Sequence, residues 1–147
     1  MGTRLRRVEE LELVPLTSFA TGNGDIVIGD SSTLKFTPQR VYYLYDVPSG
    51  ASRGGHAHKN LSQVIVAVSG SFEVQLFDGV NWRCFLLSQP NIGLYVSPGF
   101  WRELRSFSGG SVCLVLASSS YQESDYIRDF GDFVCWRESF TAMGRTS

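Results

Sequence analysis

A chain of 147 residues with 43% hydrophobic side chains is the size of one ordinary domain with a sizeable core. Its net charge of -1 comes from scattered residues, with no Lys/Arg block interleaved with aromatics, which excludes an extended nucleic-acid surface but leaves room for a small anionic ligand. Cys84, Cys113 and Cys135 form no CxxC pair and are expected as reduced core thiols; the charged first ten residues lack a signal-peptide core and no apolar run is long enough to span a membrane, so a cytoplasmic protein is expected.

Taken in order, the chain predicts strands almost throughout. Val8 to Leu16 alternates acidic with apolar residues and carries Pro15 near its end, which suits an edge strand. Residues 1–18 are read as an N-terminal edge segment open to pairing or exchange with a second chain. Thr21 to Asp25 is a predicted turn, and Ile26 to Ile28 a short strand after it. Val41 to Tyr45 is rich in strand formers, with Tyr43 and Tyr45 on one face and Tyr42 and Leu44 on the other. Asp46 to Gly50 breaks that strand and opens the loop that delivers His56.

His56-Ala57-His58 then precedes the apolar run Val64 to Val68. On an extended chain the two histidines share a face, and Gln63 comes within reach after a turn, so all three are expected to look into one cavity. Phe72 to Phe77 and Trp82 to Leu87 flank the hairpin signal Asp78-Gly79. Gly93 to Val96, then Phe100 to Leu104 after the Ser97-Pro98-Gly99 turn, are further strands. Val112 to Ala117 is apolar throughout and is expected to be buried on both faces. Only Tyr121 to Glu138 reads as helical or irregular, and residues 139–147 as a flexible tail. The expected fold is all-β, a single-domain jelly-roll barrel over residues 1–147 with a short C-terminal helical or irregular segment.

The spacing around the histidines resembles the first cupin motif. Gly50 is followed after five residues by His56-Ala57-His58, then after four by Gln63 and after six by Gly70. An ordered set of further segments makes the resemblance narrower: Arg40 to Pro48, Arg53 to Lys59, Gln63-Val64-Ile65, Gly93 to Pro98, Trp101-Arg102-Glu103, Leu114 to Ser118, and Tyr121 with Glu123 to Asp129. In these residues the chain is similar, over about Phe19 to Trp136, to the cupin-type dTDP-4-keto-6-deoxyglucose 3,4-ketoisomerases, the WxcM-like sugar-nucleotide isomerases.

The residue types at the motif positions argue against a metal. Metal cupins place a carboxylate where this chain has Gln63, and a further histidine where it has Arg102. A neutral amide and a permanent cation are poor partners for a divalent ion, so neither metal nor cofactor is expected. Histidine exchanges protons near neutrality, and moving a carbonyl from C4 to C3 of a sugar needs one base and one proton donor. Residue types alone allow either histidine to be the base. The resemblance implies His56, with Tyr42 as its hydrogen-bond partner and His58 as a second cavity group. Arg53 and Arg102 are candidates for the diphosphate, Tyr95 and Trp101 for covering sugar or base, and Lys59 and Gln63 complete the expected substrate-binding set. Asp125, Tyr126 and Arg128 read as packing and helix-end contacts. The resemblance also implies a homodimer. One departure stands out: the early turn carries Asn23 where the family usually has arginine. The same residues also suit a 3,5-epimerase of nucleotide sugars, or a cupin that binds such sugars without turning them over.

Overall fold

The computed structural model describes residues 4–145. A 3₁₀ turn, Val8–Glu10, precedes β1 (Leu13–Pro15), the hairpin β2 (Thr17–Thr21) and β3 (Gly24–Ile28), and a one-turn helix α1 (Ser31–Leu34). The strands β4 (Arg40–Tyr45), β5 (Arg53–His58), β6 (Gln63–Ser69), β7 (Phe72–Phe77), β8 (Trp82–Leu87), β9 (Ile92–Val96), β10 (Trp101–Arg105) and β11 (Val112–Ala117) follow, then β12 (Tyr126–Ile127) and α2 (Phe130–Arg145). They form two five-stranded antiparallel sheets, β1-β9-β6-β11-β4 and β12-β5-β10-β7-β8, and the hairpin β2-β3 stands apart. This is the all-β jelly-roll sandwich that the sequence predicts.

Period-two alternation explains what fills it. In β6, Ile65 and Ala67 point between the sheets, while Val64 and Val66 point outward to Leu16, Leu34, Phe36, Tyr95 and Leu116. A second layer on each face is why the run reads as apolar throughout. In β11, Cys113, Val115 and Ala117 are buried, whereas Val112, Leu114 and Leu116 are only half-buried, because little covers that outer face at the β4 side. The expectation of burial on both faces holds for one face only. The core proper, including Phe72, Leu76, Phe85, Leu94 and Phe100, closes one end of the sandwich. Across the other sheet, α2 lays Phe133 over Phe77, Trp101 and Ile127, and Arg137 ties it down by donating to the carbonyls of Gly99 (2.6 Å) and Arg6.

Several local expectations change. Only Leu13–Pro15 of the segment from Val8 to Leu16 pairs as a strand, at the sheet edge beside β9. Thr17–Thr21 is a strand that its mixed polarity concealed, and the turn it shares with β3 narrows to Gly22-Asn23. α1 was not signalled by periodicity; Asp30 caps it, its carboxylate accepting from the Ser32 N–H at 3.1 Å. Tyr126-Ile127 is a strand rather than part of a helix, because it pairs with His58 and Ala57 of β5. The helix begins at Phe130 and runs to Arg145, so most of the expected tail at 139–147 is helical; positions 146 and 147 lie outside the described residues.

Gly70 shows how tightly the β6–β7 turn is built. It sits at φ +68°, and a Cβ there would meet Ser108 Oγ at 2.5 Å and Ser111 at 2.9 Å. Both conformation and space restrict this motif position to glycine.

Candidate active site

β5 delivers the histidines through a bulge. Opposite it, Arg102 pairs with His56 but the next residue, Glu103, pairs with Gly54, so Gly55 is left over. Gly54 and Gly55 take φ values of +93° and +63°, and a Cβ on Gly54 would approach the Arg102 carbonyl at 3.0 Å. The Gly-Gly pair thus re-aims the strand just ahead of His56. The segment expected as a loop is a strand because β10 and β12 pair with its two edges.

A cavity of about 460 Å³ lies between the sheets. One wall is Arg40, Tyr42 and Leu44 of β4, Gln63 and Ile65 of β6, and Cys113 and Val115 of β11; the other is Arg53, Gly54 and His56 of β5 with Arg102 and Leu104 of β10. Tyr126 and Arg128 close a third side. At its centre the fully buried Arg102 donates to Gln63 Oε1 and, at 3.4 Å, to the Phe100 carbonyl; Gln63 Nε2 in turn donates to the Tyr42 hydroxyl at 3.1 Å. Tyr42 is therefore bonded to Gln63, not to His56 as expected. The amide that replaces a metal-ligand carboxylate is the acceptor that the replacement arginine requires.

Among the described residues Arg102 has no carboxylate partner, and burial lowers its pKa to about 10, where it is still a cation at neutral pH. Its charge acts on its neighbours. Burial first, then Arg102, hold His56 down at about 4, with a backbone hydrogen bond at Gly54 opposing. That depression corresponds to roughly 3 kcal/mol against the imidazolium. The same two causes push His58 well below the ordinary histidine value. Burial raises Tyr42 above the usual phenol value and Cys113 to about 12, so the cavity thiol is inert. At neutral pH the cavity wall thus presents the neutral imidazole of His56, the protonated phenol of Tyr42 and the cation of Arg102.

His58 does not line the cavity. It is fully buried behind His56 and Tyr126, with ring centroids 4.8 and 4.4 Å away, and its Nδ1 lies 2.9 Å from Asp125 Oδ2. Arg53 reaches the cavity as expected, but Lys59, Tyr95 and Trp101 do not. The Lys59 side chain is exposed beyond the end of β5. Tyr95 points to the outer face of its sheet, packing on Phe36 with its hydroxyl at 3.3 Å from Ser62 Oγ. Trp101 lies under α2, edge-on to Phe130. Trp101 is the sequence neighbour of the cavity residue Arg102, and Tyr95 lies between the core residues Leu94 and Val96; strand alternation turns both aromatics to the outer face. Asn23 sits at the hairpin tip, outside the cavity.

Arg40, not singled out from the sequence, lines the cavity, as do Tyr126 and Arg128, which read as packing and helix-end contacts; Asp125, read in the same way, stands behind the cavity against His58. Arg128 is held bidentately by Glu123 at 2.8 and 2.9 Å, and its guanidinium covers Tyr126 at 4.2 Å. Reading Tyr126 to Arg128 as extended would have put both side chains on one face; helix-like spacing with Phe130 hid this. Arg40 covers Tyr42 at 5.6 Å, and it shares the face of Tyr42 and Leu44 along β4.

The family model FdtA: WxcM-like, C-terminal matches residues 9–138. A relative, the TDP-4-oxo-6-deoxy-alpha-D-glucose-3,4-oxoisomerase of Aneurinibacillus thermoaerophilus, is 43% identical over 108 residues, covering 74% of this chain and 78% of its own. The crystal structure of QdtA, a sugar 3,4-ketoisomerase from Thermoanaerobacterium thermosaccharolyticum in complex with TDP, superposes with a TM-score of 0.86 at 33% identity, over 90% of this chain and 97% of its own. A 3,4-ketoisomerase from Helicobacter canadensis superposes with a TM-score of 0.84 at 37% identity, over 88% and 98%. The chain therefore belongs to the FdtA, WxcM-like C-terminal family.

Proposed function

We propose that the chain is a 3,4-ketoisomerase of a TDP-linked 4-keto-6-deoxy sugar, with His56 as the proton-transferring base and no metal. The observation that carries this reading is His56 itself, a neutral imidazole with a buried, unpartnered Nε2 on the wall of a cavity that four arginines line. Relatives at 33–43% identity carry the activity in their names, which supports it.

In this reaction His56 Nε2 takes the C3 proton. The C3–H electron pair becomes the C3–C4 double bond, and the carbonyl electrons move onto O4. O4 then gains a proton, O3 loses one, and a proton returns at C4, so substrate and product differ only in where the carbonyl lies. The charge developing on O4 forms beside a desolvated guanidinium, Arg102, where it is worth far more than in water. Gln63 and Tyr42 hold Arg102 in place, and Arg40, Arg53 and Arg128 suit the diphosphate by charge. The two motif positions support metal independence: Gln63 and Arg102 bond to each other, and a divalent ion would have to displace a cation to enter.

The hairpin supports a homodimer. Every residue of β2 and β3 is exposed, including Phe19 and Ile26 at 55% each, and the outward residues of the edge strand β4, Tyr43 and Tyr45, are 60% and 64% exposed. A two-stranded hairpin without a partner is marginal in water, and a second copy is the economical cover. A cytosolic location fits a nucleotide-sugar substrate; among the described residues no helix is long and apolar enough to cross a membrane.

Incubation with TDP-4-keto-6-deoxyglucose in deuterated water tests the activity. NMR should show a 3-keto product with deuterium exchange at C3 and C4 and none at C5; exchange at C5 would indicate an epimerase instead, and binding without exchange a non-catalytic protein. His56→Asn should bind TDP normally yet lose exchange by about 10²–10⁴-fold. Near-native exchange in this variant would remove His56 from the role.

Because the base form is the active one, its depressed pKa moves the acid limb of the rate profile downward. kcat/KM should stay flat through pH 6.5 and fall only as pH approaches about 4. Stability has the same sign: unfolded histidines bind protons near 6.5 while native His56 does not, so the urea midpoint should drop as pH falls from about 6.5 toward 4. An inflection of kcat/KM at 6.5 would contradict the assignment.

Exhaustive chelation should leave turnover unchanged; a loss that one added metal restores would overturn metal independence. Light scattering at micromolar concentration should give a dimer, and Phe19→Glu with Ile26→Glu should shift it toward monomer. A monomeric wild type would refute the dimer.

A further inference from the structure

We propose that Asp125 is a positioning residue of the proton-transfer site, acting through His58, an inference that rests on the ketoisomerase reading. Asp125 ends the 3₁₀ turn Glu123–Asp125, just before β12, and its carboxylate is buried. Oδ2 faces His58 Nδ1 at 2.9 Å, Oδ1 accepts from the Asn60 N–H at 2.6 Å, and the Asp125 carbonyl accepts from the Lys59 N–H at 3.0 Å. All of these bonds go to the segment that carries the histidines.

Pinning β5 to β12 would need only the two backbone bonds. The bond to His58 does something further. A carboxylate accepts, so Nδ1 must carry the proton, which leaves Nε2 as a bare lone pair. That Nε2 is buried and has no partner among the described residues. A merely structural histidine would not hold an unsatisfied acceptor inside the protein, where leaving one unmade is costly. The fixed ring is also the surface against which the reacting groups are packed. His56 stands edge-on to it at 88°, and Tyr126 fills the angle between them, 5.1 Å from His56 and 4.4 Å from His58. Asp125 thus sets one ring, and that ring sets the orientation of His56 toward the cavity.

Asp125→Asn tests this with little change of shape. The amide oxygen still accepts from the Asn60 N–H, but its NH₂ then faces His58 Nδ1, which must accept, so the ring proton moves to Nε2. ¹⁵N NMR of the wild type should show His58 protonated at Nδ1 and bare at Nε2, and the variant the reverse. kcat should fall by about 10²–10⁴-fold while TDP affinity and the urea midpoint stay near native. In a His58→Asn background the same substitution should have no further effect on kcat. A wild-type Nε2–H tautomer, a reversed tautomer with kcat within about threefold of native, or an undiminished effect in the His58→Asn background would each overturn the proposal. Should Asp125→Asn fail to fold, the wild-type tautomer and His58→Asn decide: a wild-type Nε2–H, or native kcat in His58→Asn, refutes it. Absent wild-type exchange sinks the ketoisomerase reading together with this proposal, whereas native wild-type exchange beside a kcat-silent Asp125→Asn sinks the proposal alone.

Discussion

A guanidinium buried without a carboxylate partner is the constraint on which this site is organised. Taking a charge out of water costs several kcal/mol even after relaxation, and a paired acid would normally offset it. Arg102 has instead the carbonyl oxygens of Gln63 and Phe100, with its Nε–H left unpartnered. The cost is tolerable because those oxygens are fixed: Gln63 is held in β6 and bonded onward to Tyr42, and Phe100 is in the core. What the protein gains is a positive field that no acid on the cavity wall neutralises. Burial first, and then this field, keep the histidines in the neutral base form at a pH where imidazoles in water are partly charged. The field also awaits an anion, whether a diphosphate or the oxygen of an enediolate.

The electrostatics and the backbone are linked at one point. The bulge that leaves Gly55 unpaired lies between the pairings of His56 and Gly54 with β10, the strand that carries Arg102. In a regular ladder the side chains of β5 would follow strict alternation from Arg53 onward, and Arg53 would face away from His56. The extra residue allows both to line one cavity. The glycines there serve the chemistry as much as the turn.

The parts of this structure legible in the sequence are those governed by period two. The sandwich, the outward Tyr43 and Tyr45, and the inward Tyr42 and Leu44 all follow from alternation. Replacement of two ligand positions by Gln63 and Arg102 was legible too, but not that each is the other's partner, since they lie 39 residues apart in the chain. Tyr95 and Trp101 were misassigned because aromatic character suggested ligand stacking, whereas their parity puts them on outer faces beneath α2 and beside Phe36. Asp125, Tyr126 and Arg128 read as packing and helix-end contacts rather than site residues for a related reason. A two-residue strand has no periodicity of its own, and only its pairing with β5 gives it a face.

β4 brings the remaining pieces together. It is the last strand of its sheet, so its open edge is where the sandwich can hold a cavity rather than a packed core. Its inward residues, Arg40, Tyr42 and Leu44, line that cavity, and its outward residues, Val41, Tyr43 and Tyr45, are exposed at 58–64%. Site and bare aromatic surface therefore alternate residue by residue along six positions of one strand. A partner seated on the outward side would clamp the backbone from which Tyr42 reaches Gln63 and, through it, Arg102. Covering that face is then more than protection of an edge: it would stiffen the strand that orients the buried cation.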